Sequence, residues 1–136
     1  MMEYLTLPMH RASGDIVQLT DILGRIPNNK WVWSVLEFNG VGIAPGDIDM
    51  DEFERLVSAT PGGQHFSWSD LQAFAKKLEQ TYDCLIIAVG NEEDINLFLD
   101  EGGNAERCQF VIEAHDSTSW NVAARSKDIL HKLLDN

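Results

Sequence analysis

The run Leu85-Ile86-Ile87-Ala88-Val89 constrains this chain more than any other feature. Successive side chains of a strand point to opposite faces, so a strand here is apolar on both and must be covered twice. Strands of that kind are typical of parallel sheets with helices on either side, and the run is therefore read as a central parallel strand. Asn91 follows as a helix cap, with Ile95, Phe98 and Leu99 inward and Gly102-Gly103 as the stop. Cys108 to Ala114 reads as the next strand. Residues 84–114 then have the length of a strand-helix-strand crossover.

The rest of the chain alternates helix and strand. Residues 3–9 read as a short edge strand limited by Pro8. Ser13 caps an expected helix with Ile16, Leu19, Ile22, Leu23 and Ile26 at helical spacing, ended by Pro27-Asn28. Trp31 to Phe38 reads as a strand, and Asn39-Gly40 as the turn that opens a loop to Gly46. Asp49 with Glu52, and Ser69 with Gln72, have capping-box spacing. They predict one helix with Phe53, Leu56 and Val57 inward, and a second with Leu71, Phe74, Ala75 and Leu78 inward. Trp120 to Ala124 reads as a strand antiparallel to its predecessor, and Ser126 as the cap of a last helix facing Ile129, Leu130, Leu133 and Leu134 to the core. With 136 residues and neither repeats nor low-complexity segments, residues 1–136 are expected to form a single globular domain. The fold class is α/β, a mixed sheet of about four or five strands flanked by helices.

Motifs that would carry chemistry fail on spacing. Asp47, Asp49 and Asp51 open like a calcium loop, but Glu52 stands where the turn needs Gly and Ser58 where the closing Glu belongs. Residues 40–46 are Gly-rich but fit no nucleotide fingerprint and are followed by acids. His115-Asp116-Ser117 has triad residue types, but neighbours on a strand point apart, and no Gly-x-Ser-x-Gly elbow occurs. The four histidines have no zinc spacing. Cys84 and Cys108 each open an apolar run and are expected to be reduced core thiols. Trp33 is expected in the core, with Trp68 and Trp120 open between core and interface. No catalytic residue, cofactor or metal ligand is assigned.

Charge is the second constraint. Ten Lys and Arg against 22 Asp and Glu give −12. Direct binding to nucleic acid or an anionic membrane is not expected, since phosphate contacts need Lys and Arg. The start lacks a basic segment followed by a long apolar one, and no run nears the ~18 apolar residues of a membrane span, so a cytoplasmic location is expected. Residues 31–54 carry Glu37, Asp47, Asp49, Asp51, Glu52 and Glu54 with no Lys or Arg. Residues 78–106 carry Glu79, Asp83, Glu92, Glu93, Asp94, Asp100, Glu101 and Glu106, again with none. Two such blocks can merge into one negative face that speeds encounter with a basic partner. The competing reading is a solvated surface with acids serving as helix caps.

Glu113-Ala114-His115-Asp116-Ser117-Thr118-Ser119-Trp120-Asn121-Val122, followed by Ser126-Lys127-Asp128-Ile129-Leu130, resembles the ending of several small bacterial immunity proteins. These are the inhibitors paired with polymorphic or contact-dependent toxins. The resemblance covers the last quarter of the chain: a strand, an Asp-Ser-x-x-Trp-like turn, a second strand and a final amphipathic helix. It implies a protein that acts by binding and carries over no catalytic residue. The resulting expectation is a cytoplasmic immunity protein that occludes a cognate toxin, a nuclease with a basic cleft. Its partner-binding acids are Asp51, Glu54, Glu92, Glu93, Asp100, Glu101 and Asp116. Asp100 and Glu101 stand out because the helix dipole opposes acids at a C-terminus. One alternative is a small enzyme with a divalent metal held by Glu92, Glu93, His115 and Asp116 at the carboxyl ends of parallel strands. The other is an acidic inhibitor that mimics nucleic acid.

Overall fold

A computed structural model describes residues 2–134. It has six strands: β1 (Glu3–Pro8), β2 (Val32–Gly42), β3 (Gln64–Phe66), β4 (Leu78–Val89), β5 (Phe110–His115) and β6 (Ser119–Ala124). Five helices join them: α1 (Leu19–Leu23), α2 (Met50–Ala59), α3 (Trp68–Lys76), α4 (Glu93–Asp100) and α5 (Lys127–Leu134). The strands form one sheet in the order β1-β6-β5-β4-β2-β3.

Every pairing is antiparallel, which corrects the mixed sheet of four or five strands and the parallel reading of residues 85–89. The demand for double cover is met: Ile86 and Ala88 enter the main core, and Ile87 and Val89 enter a second cluster on the opposite face. An apolar run encodes burial on two faces but not the direction of its neighbours. The chain leaves β4 at Val89 and re-enters the sheet at Phe110, opposite Ala88. The segment containing α4 thus joins the same ends of two adjacent strands and is no crossover.

The main core lies between the sheet and helices α1, α2, α3 and α5. Trp33 is fully buried there, with Trp68 stacked on it at 5.3 Å and Phe110 at 6.2 Å. Phe74 packs against Phe38, Phe53 and Phe66 at 5.2–5.6 Å. A buried indole N–H needs an acceptor, and each has one. Trp33 donates to Asn29 Oδ1 (3.0 Å), Trp68 to Asn28 Oδ1 (3.2 Å) and Trp120 to the Val17 carbonyl (2.9 Å). Trp68 and Trp120 are therefore core residues. Asn28, expected only as part of a helix stop, and Asn29, which the sequence reading did not single out, supply the acceptors that let Trp68 and Trp33 be buried.

Local corrections have local causes. Asn39-Gly40 makes no turn: β2 runs on to Gly42 against β4, with register shifts at 35/37, 39/40 and 41/42. A Cβ on Gly40 would lie 2.5 Å from the Gln80 carbonyl oxygen, so the glycine serves close backbone approach. The helix expected from Ile16 shrinks to Leu19–Leu23, because the chain first bends back to bridge His10 with Ile16. Its first turn is held by Asp21, which accepts the Gln18 N–H at 2.7 Å, and Ser13 is no cap. Ser67 caps α3, accepting the Asp70 N–H at 3.2 Å, in place of Ser69 with Gln72, and Leu78 begins β4. Asp49 is the N-cap residue of α2 without a side-chain bond, and Glu92 displaces Asn91 at the N-cap of α4. Leu56, Leu99 and Leu134, expected inward, are 42%, 43% and 58% exposed. No described helix is long and apolar enough to cross a membrane.

Candidate interface on the open face of the sheet

Of the described α-helices, α4 packs on the second face of the sheet, and the loop that follows it, with buried Cys108, adds to the cover. Residues opposite one another in an antiparallel sheet share a face, with side chains about 4.5–5.5 Å apart. Register therefore lays out three rows across this face. The first is His65-Ser34-Ile87-Val111-Ala123-Tyr4, from β3 to β1. Helix α4 lies over it, seating Ile95 and Phe98 on Ile87 and Val89. Its N-terminal end stands by His65, whose Nδ1 is 3.0 Å from Glu92. The loop after its C-terminal end lies beside Tyr4, Val111 and Ala123.

The next two rows lie beyond the helix. One is Glu37-Leu85-Glu113-Asn121-Thr6, and the other begins with Asn39 and Asp83 at the end nearer His115. Glu37 and Glu113 thus flank Leu85 from either side, and Asp83 lies one row on. All three acids are exposed. Cys84 lies behind them in the main core: burial pushes its thiol up to about 12, and the carboxylates of Glu113, Asp83 and Glu37 add to the rise. Glu37 comes from the first acid block and Asp83 from the second, so the blocks do meet, through strands rather than helices. Adding α4, this face carries Glu37, Asp83, Glu93, Asp100 and Glu113. Leu97 and Leu99 on α4 are 39% and 43% exposed among these acids. Two arginines stand at this end, and both are engaged. Arg107 pairs with Glu101 at 2.7 Å, while Arg125 donates to the carbonyls of Cys108 and Glu106. The helices of the other face carry Arg55, Lys76, Lys127 and Lys132.

The residues expected to bind a partner are divided by the sheet. Asp51 and Glu54 lie on α2, on the face opposite to α4. Asp51 is exposed. Glu54 accepts the Gly40 N–H at 3.0 Å and the Asn39 amide at 3.2 Å, closing the edge of β2 beyond its pairing with β3. Glu92, Glu93, Asp100 and Glu101 are together on α4 and its ends. At Glu101 the opposition of the helix dipole is outweighed: bonds from Arg107 and Asn104 hold its carboxyl below the usual range. Asp116 sits in the β5–β6 turn with φ 50°, its N–H donating to Asp83 Oδ1 at 2.9 Å. The short polar side chain of Asp tolerates that backbone shape. Glu37 and Glu113 were missed as site residues, because only register reveals that they are neighbours.

The metal constellation does not assemble. Antiparallel pairing puts Glu92 and Glu93 beyond Val89, and His115 and Asp116 beyond Cys84, about 17 Å away along the strand. Among the described residues no group of three or more His, Cys, Asp or Glu could hold a metal ion. Cys84 and Cys108 are free and buried on opposite faces, and burial pushes the Cys108 thiol up to about 12. No protein-family model, curated protein or solved structure matches the chain.

Proposed function

We propose that the protein is an immunity protein that binds a cognate bacterial toxin with a basic surface, expected to be a nuclease, and blocks it by occlusion. The carrying observation is the placement of Glu37 and Glu113 on either side of Leu85, on a sheet face that α4 leaves open. Acids around two exposed apolar side chains (Leu97 and Leu99) and the half-buried Leu85 match the polar rim and apolar centre of a protein interface. The carboxylates would take the place of nucleic-acid phosphates as partners of the toxin's Lys and Arg. The bound chain would cover the cleft, with no chemistry of its own, in the cytoplasm where a nuclease meets its substrate. The resemblance of residues 113–130 to the ending of immunity proteins agrees with this.

The test is co-expression with the toxin encoded beside the gene. The native chain is expected to restore growth, and the Glu37→Lys/Glu113→Lys variant, folded by circular dichroism, to fail. Absence of a toxin gene in the neighbourhood, or a variant that protects as well as the native chain, rejects the reading.

A further inference from the structure

The uncovered part of this face holds a cleft of about 590 Å3, between the loop of residues 102–105 and strands β1, β6 and β5. Leu85, Val111 and Ala123 form an apolar floor, and Phe98 stands in one wall. Tyr4 stands on the opposite side, 70% exposed, its ring uncovered. Glu113 lines the cleft beside Leu85, and its carboxylate has neither hydrogen bond nor ion pair among the described residues. The wall of residues 102–105 directly follows α4, so the negative end of that helix borders the cleft.

These features select for a cation with an apolar stem. A metal ion gains nothing from the apolar floor, and a hydrated ammonium gains little. A guanidinium is weakly hydrated, lies flat on an aromatic ring and bonds a carboxylate through parallel N–H groups. The arginines already at this end, Arg107 and Arg125, are turned to Glu101 and to backbone carbonyls. We propose that the cleft takes an arginine side chain presented by the partner, with its stem on Leu85 and Val111 and its head between Tyr4 and Glu113. This rests on reading the open face as the partner surface, and it names the chemistry of the anchor.

The experiment is an amide chemical-shift titration of the full chain with N-acetyl-arginine amide, and in parallel with its lysine and leucine counterparts. Saturable shifts are expected at Tyr4, Leu85, Val111, Glu113 and Ala123, at a concentration about threefold lower for arginine than for lysine. The leucine compound should not saturate. Glu113→Gln and Tyr4→Leu should each weaken arginine binding about threefold, with the rest of the spectrum unchanged. Shifts that do not saturate, that spread equally over α2, or that survive both substitutions overturn the proposal. If they do so while growth protection still depends on Glu37 and Glu113, the cleft falls and the open face stands. Saturable arginine binding without such dependence removes the face reading and leaves the cleft.

Discussion

The two faces of the sheet solve different problems with the same strands. On one face four helices close over Trp33, Trp68, Phe74 and Trp120, and every buried indole N–H of these has an acceptor. On the other a single helix of eight residues covers Ile87 and Val89, and the sheet then continues uncovered past Leu85 into Glu37, Asp83 and Glu113. Strand β4 contributes to both. The closed face supplies the stability that allows the other to remain open and charged. A protein that only had to fold would gain from covering Leu85 and Val111. A protein that docks needs them, with the acids around them, in reach.

Substitutions on the two faces should therefore separate sharply. Trp33→Ala should cost about 3–5 kcal/mol, the range for removing a fully buried large aromatic, whereas Tyr4→Ala should stay within about 0.5 kcal/mol. Urea unfolding midpoints measure both, and a Tyr4 cost near that of Trp33 would break the contrast. Asn29→Ala comes next, at about 1–3 kcal/mol, because the Trp33 N–H would be left buried without a partner. Asn28→Ala should cost less, since Trp68 retains 7% exposure and can reach water. A null result at Asn29 would mean that the indole finds water or another acceptor.

How far these contrasts could be read from the sequence differs by face. The closed face was largely legible, since Phe53, Val57, Leu71, Phe74, Ile129 and Leu130 repeat at helical spacing and are buried. The double burial of residues 85–89 was legible too. Strand direction was not, because an apolar run has the same pattern between parallel and antiparallel neighbours. Nor was the continuation of β2, since Asn39-Gly40 has turn chemistry and only backbone approach to Gln80 shows why the glycine is there. The acid blocks were visible as charge windows. Their meeting point was not, because it depends on the registers of three strands that set Glu37, Leu85 and Glu113 side by side.

The smallest effect concerns the loop that borders the arginine cleft. The Glu101 carboxyl is held low by Arg107 and Asn104, so its contribution is present above the ordinary carboxylate range and lost as pH falls through its lowered value. Hydrogen exchange of residues 102–107 should therefore quicken, relative to the intrinsic rate, in acid. In Glu101→Gln that added loss should disappear. An unchanged acid dependence in the variant would show that the loop is held by other bonds, such as that from Arg125 to the Cys108 carbonyl.

The central claim is that the open face, and not the helical one, meets the partner. Two folded variants of equal charge change decide it: Glu37→Lys/Glu113→Lys on the open face and Asp51→Lys/Glu52→Lys on α2. The measurement is the association rate with the cognate toxin domain as a function of ionic strength, since charges at an interface act on encounter. The open-face variant should associate at least tenfold more slowly at low salt, with a flattened salt dependence, while the α2 variant stays within about twofold of the native chain. Equal slowing by both variants, or slowing by the α2 variant alone, would contradict the account.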